Sequence, residues 1–367
     1  MNRRTLLKLV GVSAAAEGLA IACGGAAAPS PSPAATAAAT TAATTAPTVA
    51  ASAKPSGRIS IYSALNESTN NQLFAAFTSA TGVQVDALPL AAAGELQTRI
   101  TAEKASPKAD IFVGGSSEFH DPLGKQGLLE AYVSPNAKDL KAEFKEANGN
   151  WTGWYTGIFG FISNNDRLAK EIGGKKPATW DDLLDPVWKG KLVMPDPIKT
   201  GGGYIFIATQ IFRFNKDEAK AMAFMKSLHP QIAQYVATSP GALTLIDQGQ
   251  FVGCPNWAHD ILTEKSKGNP IDLSIPTDTG FEVGAVSIVK GSKNLPASKA
   301  FVDWVLTPAA GALNVKLSNR GSTLPQVAPA PGSPTLAQVK LVNYDRAWAT
   351  DNKERILKLW QTTVGLQ

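Results

Sequence analysis

Residues 110–117, DIFVGGSS, are a short apolar strand that runs directly into glycine and serine, and this junction indicates the fold class. Residues 59–62 and 83–87 are β-prone in the same way, and segments with helical periodicity separate the three strands. Strands that alternate with helices predict an α/β fold, with a mainly parallel sheet between helices. Because such sheets bind ligands beyond the carboxyl ends of their strands, Ser116 and Ser117 become candidate binding residues.

The alternation of strand and helix returns in the second half of the chain, from position 190 onward. The roughly 310 residues that follow position 56 suit two α/β lobes better than a single core. The expected division is residues 57–157 plus about 284–325 in lobe 1, and about 158–283 plus the C-terminal helices of 326–367 in lobe 2.

Composition excludes several classes of protein. The 367 residues are 44% hydrophobic and carry a formal charge of only +5, without the Lys/Arg stripe of a nucleic-acid-binding protein. Two cysteines cannot build a disulfide scaffold, and three scattered histidines argue against a dedicated zinc site. There is no G-x-S-x-G motif, and Cys254, in a strand before a proline, is better explained as core than as a nucleophile. We therefore expect no enzyme activity, no cofactor and no metal.

The N-terminus has the pattern of an export signal. Residues 1–22 combine the basic Arg3-Arg4 start with a short apolar run that contains Glu17, which disfavours a stable membrane helix. The paired arginines are compatible with either the twin-arginine or the general export pathway. Residues 19–24, LAIACG, resemble a bacterial lipobox, which predicts lipidation of Cys23.

The segment that follows Cys23 is rich in Ala, Thr and Pro and has no residues that could bury a face. Residues 23–56 are therefore expected to be a lipidated cysteine and a disordered linker. We expect the protein to be exported and held by its lipid at the outer face of the cytoplasmic membrane, at the cell surface or in the periplasm.

Residues 177–191, PATWDDLLDPVWKGK, are a capped helical turn followed by a strand, with Thr179 as cap and Asp182 at the third position. This stretch resembles a signature of type II periplasmic solute-binding proteins of ABC transporters, in the iron(III)-uptake branch. Residues 109–112, 284–291 and 345–360 match the same family in order. The resemblance implies a two-lobed type II periplasmic-binding-protein fold, mainly parallel sheets flanked by helices, with two hinge crossovers that we place near 157–164 and 282–289.

The same resemblance implies the protein's partners. A small anionic solute would close the cleft, and an ABC permease and its ATPase would receive it from a monomeric binding protein. Members of the iron branch hold ferric ion with adjacent tyrosines, whereas residues 254–259, CPNWAH, contain none. Ferric ion therefore remains only an alternative ligand.

Backbone N–H groups at helix starts offer a different ligand site. Residues 196–203, DPIKTGGG, lead directly into an apolar helix. The unpaired N–H groups and partial positive charge of its first turn can bind an anion such as phosphate or carboxylate. Serines and Asn66 that follow lobe 1 strands would face this turn, and Lys199 is the nearby cation. The residues expected at this anion site are Ser63, Asn66, Ser116, Ser117, Thr200, Gly201, Gly202 and Gly203.

His259, Asp260 and Glu282 resemble the His-Asp pair and the Glu that hexose-phosphate-binding members of the family use for sugar hydroxyls. Carboxylates accept hydrogen bonds from hydroxyls, and histidine can donate or accept. Asp260 could equally serve only to offset a helix dipole, and His259 could be a partly buried polar side chain. The expected ligand is a sugar phosphate, with an organophosphonate or ferric iron as alternatives.

Overall fold

Three parallel strands and their helices begin the folded part of the chain. The computed structural model describes residues 55–89 and 92–365, all within one compact unit, residues 53–367. The expected signal peptide, Cys23 and nearly all of the linker lie outside the described residues. The first elements are β1 (Arg58–Ser63), α1 (Glu67–Thr81), β2 (Gln84–Pro89), α2 (Ala93–Ala102), β3 (Ile111–Ser116), α3 (Ser117–Lys125) and the short β4 (Leu129–Glu130).

The middle of the chain builds a second set of strands and helices. Its elements are β5 (Thr152–Asn164), α4 (Asn165–Ile172), β6 (Leu192–Pro195), α5 (Gly201–Arg213), α6 (Glu218–Leu228), β7 (Ile232–Val236), α7 (Ser239–Asp247), β8 (Gly253–Trp257), α8 (Ala258–Lys265) and β9 (Ile271–Ser274). The last elements are β10 (Phe281–Val289), α9 (Leu295–Val305), α10 (Pro308–Ser318), β11 (Gly321–Ser322) and α11 (Arg346–Val364).

The strands follow the order β2-β1-β3-β10-β5-β8-β6-β7, with β4, β9 and β11 attached at the side. We call the part around β1, β2, β3 and β10 the first sheet, and the part around β6, β7, β8 and β9 the second sheet. β1 is parallel to β2 and β3, and β6 is parallel to β7 and β8. Each sheet with its helices is one lobe of the two-lobed α/β fold, as the sequence predicted.

β5 is the strand that passes from one lobe to the other. Ile158 pairs with Phe281 in the first sheet, while the next residue, Phe159, pairs with Trp257 in the second. All pairs of β10 lie in the first sheet, so the chain returns to that sheet before Phe281. The second crossover therefore precedes residues 282–289, where the family resemblance had led us to place it.

Separate hydrophobic cores support the two lobes. Ile61, Val113 and Phe301 belong to the core of the first, whereas Trp180 and Trp360 belong to the core of the second. α11 therefore packs on the second lobe although it ends the chain.

The Thr179–Asp182 capping box is present, but the turn that it starts, Trp180–Leu184, is a 3-10 helix. Within the described ranges, no helix combines the length and apolarity needed to cross a bilayer.

Candidate functional site

A cleft of about 480 Å³ lies between the two lobes and is lined by the starts of six helices. Parallel α/β sheets place helix starts beyond the carboxyl ends of their strands, so both lobes present such ends to one space. Each helix start carries unpaired N–H groups and a partial positive charge. The helices concerned are α1, α2 and α3 of the first lobe and α5, α7 and α8 of the second.

Two of the expected first-lobe residues line the cleft. Asn66 accepts the backbone N–H of Thr69 at 2.8 Å as the cap of α1, and Ser116 occupies the capping position of α3. The Ser116 hydroxyl donates to the buried carboxylate of Glu118. Towards a ligand Ser116 therefore presents oxygen lone pairs, in addition to the N–H groups of the helix that it starts.

Ser63 and Ser117 do not line this cleft, in contrast to the sequence-based expectation. Ser63 is fully buried and donates to Asn70 Oδ1 at 2.7 Å, which ties the strand end to α1. Ser117 is buried beside Glu118, with its hydroxyl 3.3 Å from Oε2, and lies on the rear side of α3. The hydroxyls of these two serines therefore form hydrogen bonds with side chains of the helix that follows each strand and do not contact the cleft.

In the second lobe, Thr200, Gly201 and Gly202 line the cleft. The Thr200 hydroxyl donates to Asp196 O at 2.9 Å and accepts the N–H of Gly203 at 3.0 Å. The proton of this hydroxyl and one of its lone pairs are therefore used within the turn, and the N–H of Gly203 is used by the cap. A Cβ at Gly203 would lie 2.5 Å from Pro195 O, so this glycine serves close packing behind the cleft rather than ligand contact.

Lys199 also departs from expectation. Its ammonium is 3.4 Å from the carboxylate of Asp196, its side chain is 63% exposed, and it does not line the cleft. Lys267 and Arg320, in contrast, do line the cleft, and Arg320 is described below.

The start of α7 was missed by the sequence analysis. Thr238 caps this helix by accepting the Gly241 N–H at 3.1 Å, and Ser239 and Pro240 follow it into the cleft. A hydroxyl cap followed closely by proline, directly after a strand, is a helix-start signal that the sequence did contain.

His259, Asp260 and Glu282 meet at one end of the cleft. His259 Nε2 lies 3.5 Å from Asp260 Oδ1, and neither ring nitrogen has a hydrogen-bond partner among the described residues. Gly157 lies opposite Glu282 in the β5–β10 pair, and a Cβ there would approach Glu282 Oε1 to 2.7 Å and the His259 ring to 2.8 Å. The glycine in the crossover strand thus makes room for both side chains.

Trp257 occupies the capping position of α8, and no side chain caps the helix. The neighbouring Asn256, in β8, donates to Ser239 O at 3.0 Å and so ties β8 to the start of α7.

Arg320 and Tyr155 complete this end of the cleft, and the sequence analysis missed both. The Arg320 guanidinium is buried 5.0 Å from the centre of the Tyr155 ring and 4.0 Å from Asp260 Oδ1. Its Nε and Nη1 have no partner within the described part of the chain. The Tyr155 hydroxyl accepts the N–H of Gly115 at 3.0 Å. Buried donors without partners are expected to meet a ligand.

Comparison with known proteins assigns the family. Residues 106–349 match the family model described as bacterial extracellular solute-binding protein. The chain belongs to this family. An uncharacterized protein of Haemophilus influenzae is 32% identical over 329 residues, which cover 86% of this chain and 93% of that protein.

Solved structures of solute-binding proteins share the fold. The periplasmic binding protein AfuA of Actinobacillus pleuropneumoniae, with exogenous fructose-6-phosphate bound, matches with a TM-score of 0.80 and 31% identity over 85% of this chain and 99% of its own. The periplasmic binding protein P5PA matches with a TM-score of 0.78 and 30% identity, over 84% of this chain and 99% of its own. More distant relatives are named for iron uptake, in Synechocystis at 23% identity, and for 2-aminoethylphosphonate binding, in Salmonella typhimurium at 22%.

Membership confirms the resemblance that the sequence motifs carried. The protein is an exported solute-binding protein, the binding component of an ABC transporter that works with a permease and an ATPase. The proteins that it resembles are binding proteins of transport systems rather than enzymes.

Burial controls the charges in the cleft of this solute-binding protein. It raises the pKa of Glu282 to about 8, although Arg320 acts in the opposite direction, so Glu282 is largely protonated at neutral pH. Burial, assisted by the Arg320 charge, holds the pKa of His259 well below its ordinary range. Burial also raises the pKa of Asp260, which Arg320 opposes. The cleft end therefore offers a largely protonated Glu282 and a neutral His259 imidazole, with Asp260 beside the Arg320 guanidinium.

Two other chemistries find no support in this geometry. Within the described ranges, no three His, Cys, Asp or Glu side chains are grouped so that they could hold a metal ion. Cys254 is fully buried, and burial raises the pKa of its thiol well above the usual range, which disfavours the reactive thiolate.

Proposed function

We propose that this protein captures a small phosphorylated organic anion, a sugar phosphate, and delivers it to its permease. The observation that carries the proposal is one cleft in which helix starts from both lobes adjoin a cluster of hydroxyl-binding side chains. The cleft, about 480 Å³, is larger than inorganic phosphate requires. A ligand that is anionic at one end and rich in hydroxyls at the other matches this division.

The phosphate end is supported by the helix starts of α5 and α7. Gly201 and Gly202 lack side chains, so the first-turn N–H groups of α5 are open to a close approach. Ser239 lies opposite: a Cβ at Gly202 would be 3.2 Å from its hydroxyl. Phosphate oxygens accept from such N–H and O–H donors, and the helix dipoles favour their negative charge.

The sugar end is supported by His259, Asp260 and Glu282. Protonated Glu282 can donate to a hydroxyl oxygen, while Asp260 accepts from a hydroxyl and the His259 ring does either. Their neighbour Arg320 offsets the single carboxylate charge of Asp260. Two ionised carboxylates would repel a phosphate, but the protonation of Glu282 and the charge of Arg320 remove this conflict.

Relatives and site geometry favour this ligand over the alternatives. AfuA, 31% identical, is a neighbour whose structure contains a bound sugar phosphate, fructose-6-phosphate. An aminoethylphosphonate would require its ammonium to lie beside Asp260, a place where Arg320 already provides a positive charge. Ferric ion prefers several anionic oxygen ligands. Tyr155 is the tyrosine that the described part of the cleft offers, and burial keeps its pKa well above the usual range.

The rest of the proposal concerns how the protein acts. It binds and releases its ligand without chemical change, through closure of the lobes driven by the ligand's preference for the closed form. It works as a monomer. It is anchored through lipid on Cys23, because the LAIACG motif precedes an Ala/Thr/Pro-rich spacer. Ser116, Asn66 and the three starts of α5, α7 and α8 hold the ligand from both sides.

Two measurements test the ligand. Mass spectrometry of the natively purified protein should find a phosphorylated organic anion, and calorimetry should find tight binding of fructose 6-phosphate. Inorganic phosphate, 2-aminoethylphosphonate and Fe(III) serve as comparison ligands in the same titration. Tight binding of Fe(III) without response to any phosphorylated compound would contradict the proposal, as would conversion of a bound compound into product.

A further inference from the structure

α3 and α11 form a contact between the lobes outside the cleft. α3 packs through Phe119 and Leu123 on the first sheet, in a cluster with Phe112 and Val289. α11 packs through Ala349, Ile356, Trp360 and Val364 on the second lobe. Where these two helices touch, one lobe therefore meets the other.

Glu118 and Arg346 form the centre of this contact. The Glu118 side chain is 1% exposed, and Arg346 Nη1 donates to its Oε1 at 3.0 Å. The same carboxylate accepts the hydroxyl of Ser116, which lines the cleft. Arg346 Nη2 donates to Phe281 O at 3.0 Å, and Phe281 directly precedes Glu282. One guanidinium in the second lobe thus contacts the carboxylate that accepts from Ser116 and the backbone carbonyl next to Glu282.

Lys353 adds a second contact from the same face of α11, two turns further along. Its ammonium lies 3.5 Å from the centre of the Phe119 ring, and burial lowers its pKa to about 8. Phe119 itself lines the cleft, and a Cβ at Gly201 would come within 3.0 Å of its ring. Phe119 therefore contacts the cleft with one part of its ring and Lys353 of α11 with another.

The lobes also touch at the opposite side of the cleft. Asn319, after α10, donates to the hydroxyl of Thr263 in α8 at 3.0 Å. In this arrangement of the lobes, residues of both line the same cleft. Contacts that stabilise this arrangement therefore also stabilise the geometry of the binding site. The α3–α11 contact rests on an ion pair and a cation–π pair, which can separate and re-form more readily than an apolar core.

We propose that Arg346 and Lys353 form an inter-lobe clasp with Glu118 and Phe119 that fixes the ligand-binding arrangement of the lobes. These are positioning residues: they set affinity from behind the cleft through Ser116, Phe119 and the start of β10. Loss of Arg346 leaves the Glu118 carboxylate buried and unpaired, which favours separation of the helices, whereas loss of Lys353 removes only a cation–π contact. The inference depends on the solute-binding role of the cleft but not on which solute it takes.

The test uses Arg346→Met and the milder Lys353→Met in the full mature chain. Without ligand, both variants should show a larger radius of gyration by X-ray scattering and faster hydrogen exchange at residues 116–119 and 281–283. Fructose 6-phosphate should bind about tenfold more weakly, equal to about 1.4 kcal/mol, through faster dissociation. Arg346→Lys, which keeps the charge, should restore part of the affinity.

Asp351→Asn is the matched control, because Asp351 belongs to the exposed pair with Lys125 at 2.5 Å between the same two helices. It should leave scattering, exchange and affinity unchanged. A lower melting temperature with unchanged scattering and local exchange in Lys353→Met would overturn the clasp, as would an equal response of the control. If wild-type protein fails to bind fructose 6-phosphate, the proposed ligand is wrong, whereas the ligand-free scattering and exchange still decide the clasp.

Discussion

The guanidinium of Arg320 lies 4.0 Å from the carboxylate of Asp260, across the boundary between the two lobes. Arg320 precedes β11, which pairs with β5 in the first sheet, while Asp260 lies in the first turn of α8 in the second lobe. Because Arg320 Nε and Nη1 lack partners within the described residues, the pair leaves donors for a ligand. This contact therefore joins the two lobes beside atoms that are open to a ligand.

Replacing Arg320 should weaken the binding of sugar phosphate. In Arg320→Gln the cleft loses two open donors and the charge that offsets Asp260. Hydrogen bonds to charged groups are worth about 1.5–3 kcal/mol, so we expect a roughly 10- to 150-fold rise in Kd for fructose 6-phosphate by calorimetry. Lys199→Gln is the control, since Lys199 is exposed and outside the cleft. Equal losses in both variants would argue against a specific role for Arg320.

Replacing Asp260 should weaken the binding of the sugar end of the ligand and leave the binding of its phosphate end unchanged. Asp260→Ala removes a hydroxyl acceptor from the sugar end and leaves the helix starts of α5 and α7 intact. Fructose 6-phosphate should lose about 1.5–3 kcal/mol of binding free energy, whereas inorganic phosphate should bind nearly as before. Titration of the variant with both ligands checks this. A parallel loss for inorganic phosphate would place Asp260 at the anion end instead.

The pKa of Glu282 predicts how stability depends on pH. A folded-state pKa of about 8, above that of an exposed carboxyl, means that the folded protein keeps a proton that the unfolded chain has released. Stability from this group is complete below the unfolded pKa and is lost as pH rises through about 8. The slope is at most about 1.4 kcal/mol per pH unit.

Glu282→Gln isolates this contribution, because glutamine keeps the size of the side chain and cannot ionise. The variant should gain stability relative to wild type as pH rises from 5 to 8, with no further change above about 9, measured by urea unfolding at each pH. Taking the difference between the two proteins cancels the titration of Lys353 and His259. A difference that is constant or shrinks with pH would mean that Glu282 is ionised at neutral pH.

The sequence predicted what local patterns encode. The DIFVGGSS junction predicted a strand end at the edge of the cleft, and the glycines that begin α5 predicted a helix start there. The direction of a serine side chain after a strand depends on its position around the first turn of the following helix. Ser116 lines the cleft, whereas Ser117 does not. Arg320 has no motif around it, and only the packing of β11 on β5 brings it to Asp260.

Enlarging Gly202 should close the anion end. A Cβ at this position would already lie 3.2 Å from Ser239 Oγ and from Trp257 Nε1, so a leucine side chain must enter the cleft. Gly202→Leu should therefore abolish binding of both inorganic phosphate and fructose 6-phosphate in calorimetry. The smaller Gly202→Ala should weaken both by less, and an unchanged melting temperature shows that the fold survives. Retained phosphate binding in the leucine variant would move the anion site elsewhere.

Gly157 should control the sugar end through space alone. A Cβ there would lie 2.7 Å from Glu282 Oε1 and 2.8 Å from His259 Cε1, so Gly157→Ala must displace both side chains. Fructose 6-phosphate binding should fall at least tenfold, while inorganic phosphate, held by the helix starts, should bind nearly as in wild type. The measurement is calorimetry with both ligands.

A double-mutant cycle with Glu282→Ala decides whether space is the cause. Neighbouring residues that share a cavity show non-additive effects on binding free energy. If Gly157 serves to make room for Glu282, adding Gly157→Ala to the Glu282→Ala protein should weaken binding less than adding it to wild type, since the nearest clash is gone. Strict additivity of the two changes would indicate that Gly157→Ala acts on the β5 crossover itself, and that the glycine there serves the motion of the lobes rather than the shape of the site.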